Sequence, residues 1–148
     1  MLSEEETKNL ITEAKKAREN TFNVRSAVHK IGACVLTTNG QYFPGCTIDG
    51  IISGVGVCTE RAAVDHAIVH GKYQIKALCV VDEKLTYPCG VCLQYLYPLH
   101  QVTGADIDII IADIHGNIEK STLIALLPRG YISDSNDERL KEFAKRNS

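Results

Sequence analysis

Several things are missing from this 148-residue chain, and each absence removes a class of function. No apolar run approaches the ~18 residues that a bilayer-spanning helix needs. There is no surplus of positive charge: the formal net charge of -2 gives no general attraction to nucleic acid or to anionic lipid. The small size and the missing basic surface also weigh against a positive groove with stacking aromatics, the usual device for holding a polynucleotide strand. The N-terminal Met1-Leu2-Ser3-Glu4-Glu5-Glu6 is acidic and lacks an apolar signal region, so six cysteines point to a reducing cytoplasm rather than to a secreted disulfide framework. Repeats, low-complexity segments and linkers are also lacking. With 45% hydrophobic and 23% charged residues, positions 1–148 suit a single domain that buries a core without disulfides. Small-molecule chemistry is the default expectation.

The order of elements follows from periodicity and turn chemistry. Ser3 with Glu6 forms a capping box, and Leu10, Ile11, Ala14 and Ala17 share one face of a helix ending near Asn20. His29 to Thr37 and Gln41 to Thr47 read as strands joined by a tight turn at Asn39-Gly40. Asp49 to Val57, with three glycines among small apolar residues, reads as a binding loop. A helix starts at Cys58 and stops at Gly71, and the β-branched run Ile75 to Val81 follows as a buried, parallel strand. The helix that begins at Cys89 is expected to end close to Tyr97, because Pro98 follows. Ile107 to Ala112 and Ile118 to Ser121 are further strands. Thr122 to Leu127 forms a short helix, and Ser135 with Glu138 caps a last one. Alternating helices and strands predict a three-layer α/β/α sandwich over a mixed sheet of about five strands.

The chemistry concentrates at two helix starts, Cys58-Thr59-Glu60-Arg61 and Pro88-Cys89-Gly90-Val91-Cys92. Three cysteines supply three thiolates for one zinc ion, leaving the fourth tetrahedral position open as catalytic rather than structural sites do. Glu60 is a carboxylate to spare for proton transfer. Unpaired N–H groups and the positive end of each helix dipole favour thiolates there. A Cys-x-x-Cys could instead be a thioredoxin-like redox pair, with Cys58 a buried apolar residue like Cys34, Cys46 and Cys79. The four histidines His66, His70, His100 and His115 read as residues of helix faces or a turn.

Over nearly its whole length the chain resembles the zinc-dependent cytidine deaminases of the small homotetrameric type. Ile31-Gly32-Ala33 is similar to that family's Val-Gly-Ala strand, and Gly45-Cys46-Thr47-Ile48-Asp49 to its Gly-Cys-Asn-x-Glu. Cys58-Thr59-Glu60-Arg61 is similar to its Cys-Ala-Glu-Arg, followed by Pro-Cys-x-x-Cys. Leu126-Leu127-Pro128 and Tyr131 resemble its closing Leu-Leu-Pro-x-x-Phe, and the same ending resembles blasticidin S deaminases.

The resemblance implies that Cys58, Cys89 and Cys92 hold Zn2+, that activated water attacks C4 of a cytosine ring, and that Glu60 carries protons to ring N3 and to departing ammonia. It assigns Arg61 to the thiolate sulfurs, where it withdraws charge. It also implies a homotetramer whose pockets are completed by neighbouring subunits, with Tyr131 stacking on the base. The departures lie where the family holds its substrate: Thr47 and Asp49 replace its ribose-gripping Asn and Glu, His29 its aromatic residue, and Leu93 an arginine. Reaction chemistry is preserved while recognition is altered. The expected activity is hydrolytic deamination of cytidine or deoxycytidine. The alternatives are a modified cytosine nucleoside such as blasticidin S as substrate, or a zinc-stabilised nucleoside-binding protein without turnover.

Overall fold

Helix α1 (Glu4–Arg18) opens on the expected capping box: the Ser3 hydroxyl accepts from the Glu6 N–H at 3.0 Å, and a Glu6 carboxylate oxygen accepts from the Ser3 N–H at 2.8 Å. The structure, a computed structural model, describes residues 1–24, 30–52 and 54–147. His29, an expected substrate contact, lies outside them.

A short strand β1 (Phe22–Asn23) leads to β2 (Gly32–Thr37), which turns back into β3 (Tyr42–Cys46). At the turn the Gly40 N–H donates to the Thr37 carbonyl at 3.0 Å, and Gly40 has φ 84°, a left-handed conformation that favours glycine. Strand β4 (Ile48–Asp49) pairs in parallel with β1, an accessory two-residue ladder too short for any sequence period to announce. Then come α2 (Thr59–Val69), β5 (Ile75–Asp82), α3 (Gly90–Thr103), β6 (Asp108–Asp113), β7 (Ile118–Thr122), α4 (Leu123–Leu126) and α5 (Asp134–Arg146).

The main sheet has the order β3-β2-β5-β6-β7. Only β5 and β6 run parallel, joined across α3, and the other neighbours are antiparallel. Alternation along the central strands divides the core. Val35, Leu78, Val80, Ile109 and Ile111 face α2 and α3, while Cys34, Leu36, Cys79, Val81 and Ile110 face Leu10 and Ala14 of α1. The three-layer α/β/α arrangement over a mixed five-stranded sheet is the one expected.

Two boundaries differ from expectation. Helix α3 does not end near Tyr97 but continues through Pro98 to Thr103, where Gly104, at φ 72°, caps it by donating to the His100 carbonyl at 2.7 Å. Proline inside a helix costs about 3 kcal/mol, but the turn around it buries Leu96 and Tyr97 and packs Leu99 on the core. Each such side chain contributes roughly 1.5–3 kcal/mol, enough to offset the proline. The cap of α5 is Ser133 rather than Ser135: Ser133 has the extended backbone a cap requires, and its hydroxyl accepts from the Asn136 N–H at 3.4 Å.

Helix α2 lies unusually close to the sheet at Gly45. A Cβ there would stand 2.4 Å from the Ala63 nitrogen and 2.8 Å from the Thr59 carbonyl oxygen, both backbone atoms of α2. Gly45→Ala should therefore push α2 outward and cost about 1–3 kcal/mol of stability. Gly90→Ala, whose Cβ meets nothing within 4 Å, should stay within about 0.5 kcal/mol of the parent in urea unfolding.

Candidate metal and catalytic site

Both cysteine-bearing segments are helix starts, and the two helices pack into one core cluster on the same face of the sheet. Cys58 is the N-cap of α2 and Cys89 that of α3, and neither side chain caps its own helix. Cys92 lies in the first turn of α3 and is buried. One ligand atom from each of Cys58, Cys89 and Cys92 lies within 4.8 Å of the other two. Zinc–sulfur bonds of about 2.3 Å in a tetrahedron set sulfurs roughly 3.8 Å apart. The Cys89 and Cys92 sulfurs stand 3.6 Å apart, so the donor set fits such an ion. Because Cys58 shares the cluster, the three sulfurs could hold one metal ion between them, which the Cys89–Cys92 pair alone would not.

Glu60 is buried in the first turn of α2, and its Oε2 accepts a hydrogen bond from the Cys92 thiol at 3.0 Å. Burial, and then that bond to a carboxylate, push the Cys92 thiol well above its ordinary range. For Cys89 burial acts upward too, but its contacts with the Cys92 backbone N–H and the Cys92 sulfur outweigh it and bring the thiol below its ordinary value.

Arg61 directs Nη2 to the Cys58 sulfur at 3.9 Å, and this contact raises its already high pKa further. Its guanidinium carbon sits 6.0 Å from the centre of the Tyr95 ring, and the Tyr95 hydroxyl donates to Asp65, one turn beyond Arg61 on α2. Leu93 is buried in the core.

Beside the cysteines opens a cleft of about 350 Å3 whose lining includes Ile31, Thr47, Asp49, Glu60, Tyr87 and Cys89. Thr47 reaches it, but its hydroxyl already accepts from the Ile31 N–H at 3.0 Å and meets the Thr59 hydroxyl at 3.1 Å. It ties β2 and β3 to the start of α2. The expected binding loop is closed at its base by a bridge between Ile48 and Val57, and Gly56 packs so close that a Cβ would stand 2.9 Å from the Ile48 carbonyl oxygen.

Tyr131 is not in this cleft. It is 70% exposed beside α3, with the Gln94 side chain bonding both its N–H and its carbonyl. Conversely Tyr87, which sequence reasoning passed over, lines the cleft, and its hydroxyl donates to Glu119 on β7. Its place just before Pro88-Cys89 was the only signal of this. None of the described histidines belongs to the cluster: His66 and His100 bond the carbonyls of Pro44 and Ala105 at 2.9 and 2.8 Å.

No protein-family model matches the chain. It is 32% identical over 124 residues to a cytidine deaminase of Sporosarcina psychrophila, a match covering 82% of this chain and 88% of the relative. To a cytidine deaminase of Halalkalibacterium halodurans it is 31% identical over 131 residues, covering 86% and 96%. Among solved structures, the cytidine deaminase of Burkholderia pseudomallei superposes with a TM-score of 0.77 at 28% identity, covering 88% of this chain and all of that one.

If the three cysteines act together, elemental analysis of purified protein should find one transition-metal ion per chain. Cys92→Ala should abolish this, and Cys46→Ala, which lies outside the cluster, should leave it unchanged.

Proposed function

The chain belongs to the cytidine deaminase family, and from that premise we propose that Cys58, Cys89 and Cys92 hold a zinc ion beside Glu60 and that the enzyme hydrolyses the 4-amino group of cytosine nucleosides. The observation that carries this reading is the position of Glu60: its carboxylate is 3.0 Å from one sulfur of the cluster and lines the cleft, while the thiol set is complete without it. Zinc in such a site makes water a nucleophile near neutral pH.

The remaining work falls to side chains. As Cys92 gives up its proton to become a ligand, it ceases to donate to Glu60, and the carboxylate is free to accept the proton of the attacking water. Glu60 then delivers that proton to ring N3 and assists departure of the C4 amine as ammonia. Arg61 and the two helix N-termini offset the negative charge of three thiolates. Tethered between Ile31 and Thr59, Thr47 shapes the cleft wall next to Asp49, the closer candidate for a sugar hydroxyl.

Glu60→Gln should retain the metal and the fold, yet lose about 10²–10⁴-fold in ammonia release, the usual range for one general acid–base group. Near-normal turnover by the zinc-loaded variant would overturn the role of Glu60.

The same reading includes a homotetramer. Two features support it: a broad apolar groove of about 740 Å3, lined by Val64, Ile68, Val91, Tyr95 and Leu99, and the exposure of Tyr131 away from its own chain's cleft. Val91 is 62% exposed, which costs less if a second copy covers it. Light scattering should give four times the chain mass. A fully active monomer would contradict the assembly.

A further inference from the structure

Resting on the reading above, we propose that Tyr87 is a substrate-positioning residue that presents an aromatic face to the cytosine ring or its substituent, with Glu119 holding it in place. Four observations lead there. Tyr87 lines the cleft that also contains Glu60 and Cys89. It is 47% exposed, so its ring is not spent on the core. Its hydroxyl is anchored to Glu119 of β7, which fixes a side chain that would otherwise rotate in solvent. The neighbouring Thr86 hydroxyl donates to an Asp82 carboxylate at 2.7 Å, pinning the segment that carries the ring to the end of β5.

The rest of the cleft explains why such a face is needed. Among the described residues that line it, Tyr87 is the only aromatic one; the others are aliphatic, small, polar or charged. The Thr47 hydroxyl is committed to Ile31 and Thr59, so little of the grip on substrate comes from it. A flat heterocycle entering between the Asp49 segment and the Thr86-Tyr87 segment meets, among the described lining residues of its own chain, a π-surface on the Tyr87 side. A ring held in advance by a distant carboxylate loses little freedom on binding, which is where preorganised contacts gain affinity. Because Glu119 takes the hydroxyl, the phenol is not available as a proton donor, and its contribution falls on binding rather than on the chemical step.

The test compares Tyr87→Phe, Tyr87→Ala and Glu119→Ala in the zinc-loaded enzyme. The readouts are zinc content, kcat and KM for cytidine, and direct calorimetric binding of the product uridine, which requires no turnover. Tyr87→Ala should raise KM and weaken uridine binding about tenfold, within the range found when one base–aromatic stack is removed, with kcat within twofold and zinc unchanged. Tyr87→Phe, which keeps the ring, should restore most of that loss, and Glu119→Ala should resemble Tyr87→Phe. Unchanged uridine affinity in Tyr87→Ala would overturn the proposal, and so would loss of zinc together with kcat, which would make the residue a prop for the Cys89 loop. A wild type that binds uridine but deaminates neither cytidine nor deoxycytidine would count against the proposed reaction instead, while the uridine measurements would still decide the role of Tyr87.

Discussion

Two helices that begin side by side at one edge of the sheet are the constraint on which the rest of the site depends. Cys58 and Cys89 are N-cap residues, and Cys92 is one turn into the second helix, so three sulfurs converge without any loop having to fold over them. Three thiolates so close would repel strongly in an apolar setting. The unpaired N–H groups and positive dipole ends of α2 and α3 offset part of that repulsion, and a divalent cation bound there would offset the rest. In the structure the Cys92 thiol stands 3.0 Å from a Glu60 carboxylate oxygen as its hydrogen-bond donor, a pairing that a bound cation would replace. Convergence in turn rests on packing: α2 descends far enough because Gly45 has no side chain where the Ala63 backbone passes.

This arrangement divides the site into a cysteine half built on two helix starts and a cleft half built from loops and short strands. The sulfurs, Glu60 and Arg61 come from two adjacent helices and are fixed by the core beneath them. The substrate side is assembled from the ends of β3 and β4, the loop that Val57 closes, and the segment before α3. Each of these is held by a few hydrogen bonds rather than by buried apolar area. Tyr131 is exposed outside that cleft, and the apolar groove along α2 and α3 is open to solvent among the described residues.

The same division governs what could be read from the sequence. The grouping of the three cysteines and Glu60 was legible because its parts are local: Cys58 and Glu60 are two residues apart, Cys89 and Cys92 three, and both spacings sit at helix starts with recognisable signals. The sheet was legible because Ile75 to Val81 and Ile107 to Ala112 are short, mainly apolar stretches with several β-branched residues. The continuation of α3 through Pro98 was not, since it depends on Leu96, Tyr97 and Leu99 finding a core that only the folded chain provides. The Ser133 cap was hidden by a second serine two residues later that matches the capping-box spacing better. Tyr87 was invisible for a different reason: its partner Glu119 is 32 residues away in sequence, on a strand whose register against β6 sets where that carboxylate stands. Tertiary pairings of this kind carry no local period.

Arg61 shows how a residue legible in the motif still needs the fold to be placed. A guanidinium 3.9 Å from sulfur makes a weak hydrogen bond, and a ring centroid at 6.0 Å is at the outer edge of a cation–π contact, about 0.5–1 kcal/mol at exposed sites. Against these gains, its Nε is buried with no hydrogen-bond partner, a loss of roughly 1–3 kcal/mol. Taken alone, the arginine would gain little by staying where it is. The balance turns on the charge of the sulfurs, since each thiolate in the cluster strengthens the attraction while the desolvation of Arg61 is already incurred. The planar, permanently charged group held between a sulfur and an aromatic face is therefore best matched to the fully deprotonated cluster. A lysine ammonium, compact and more strongly hydrated, would not stack on Tyr95 and would incur a larger desolvation cost for the same single contact.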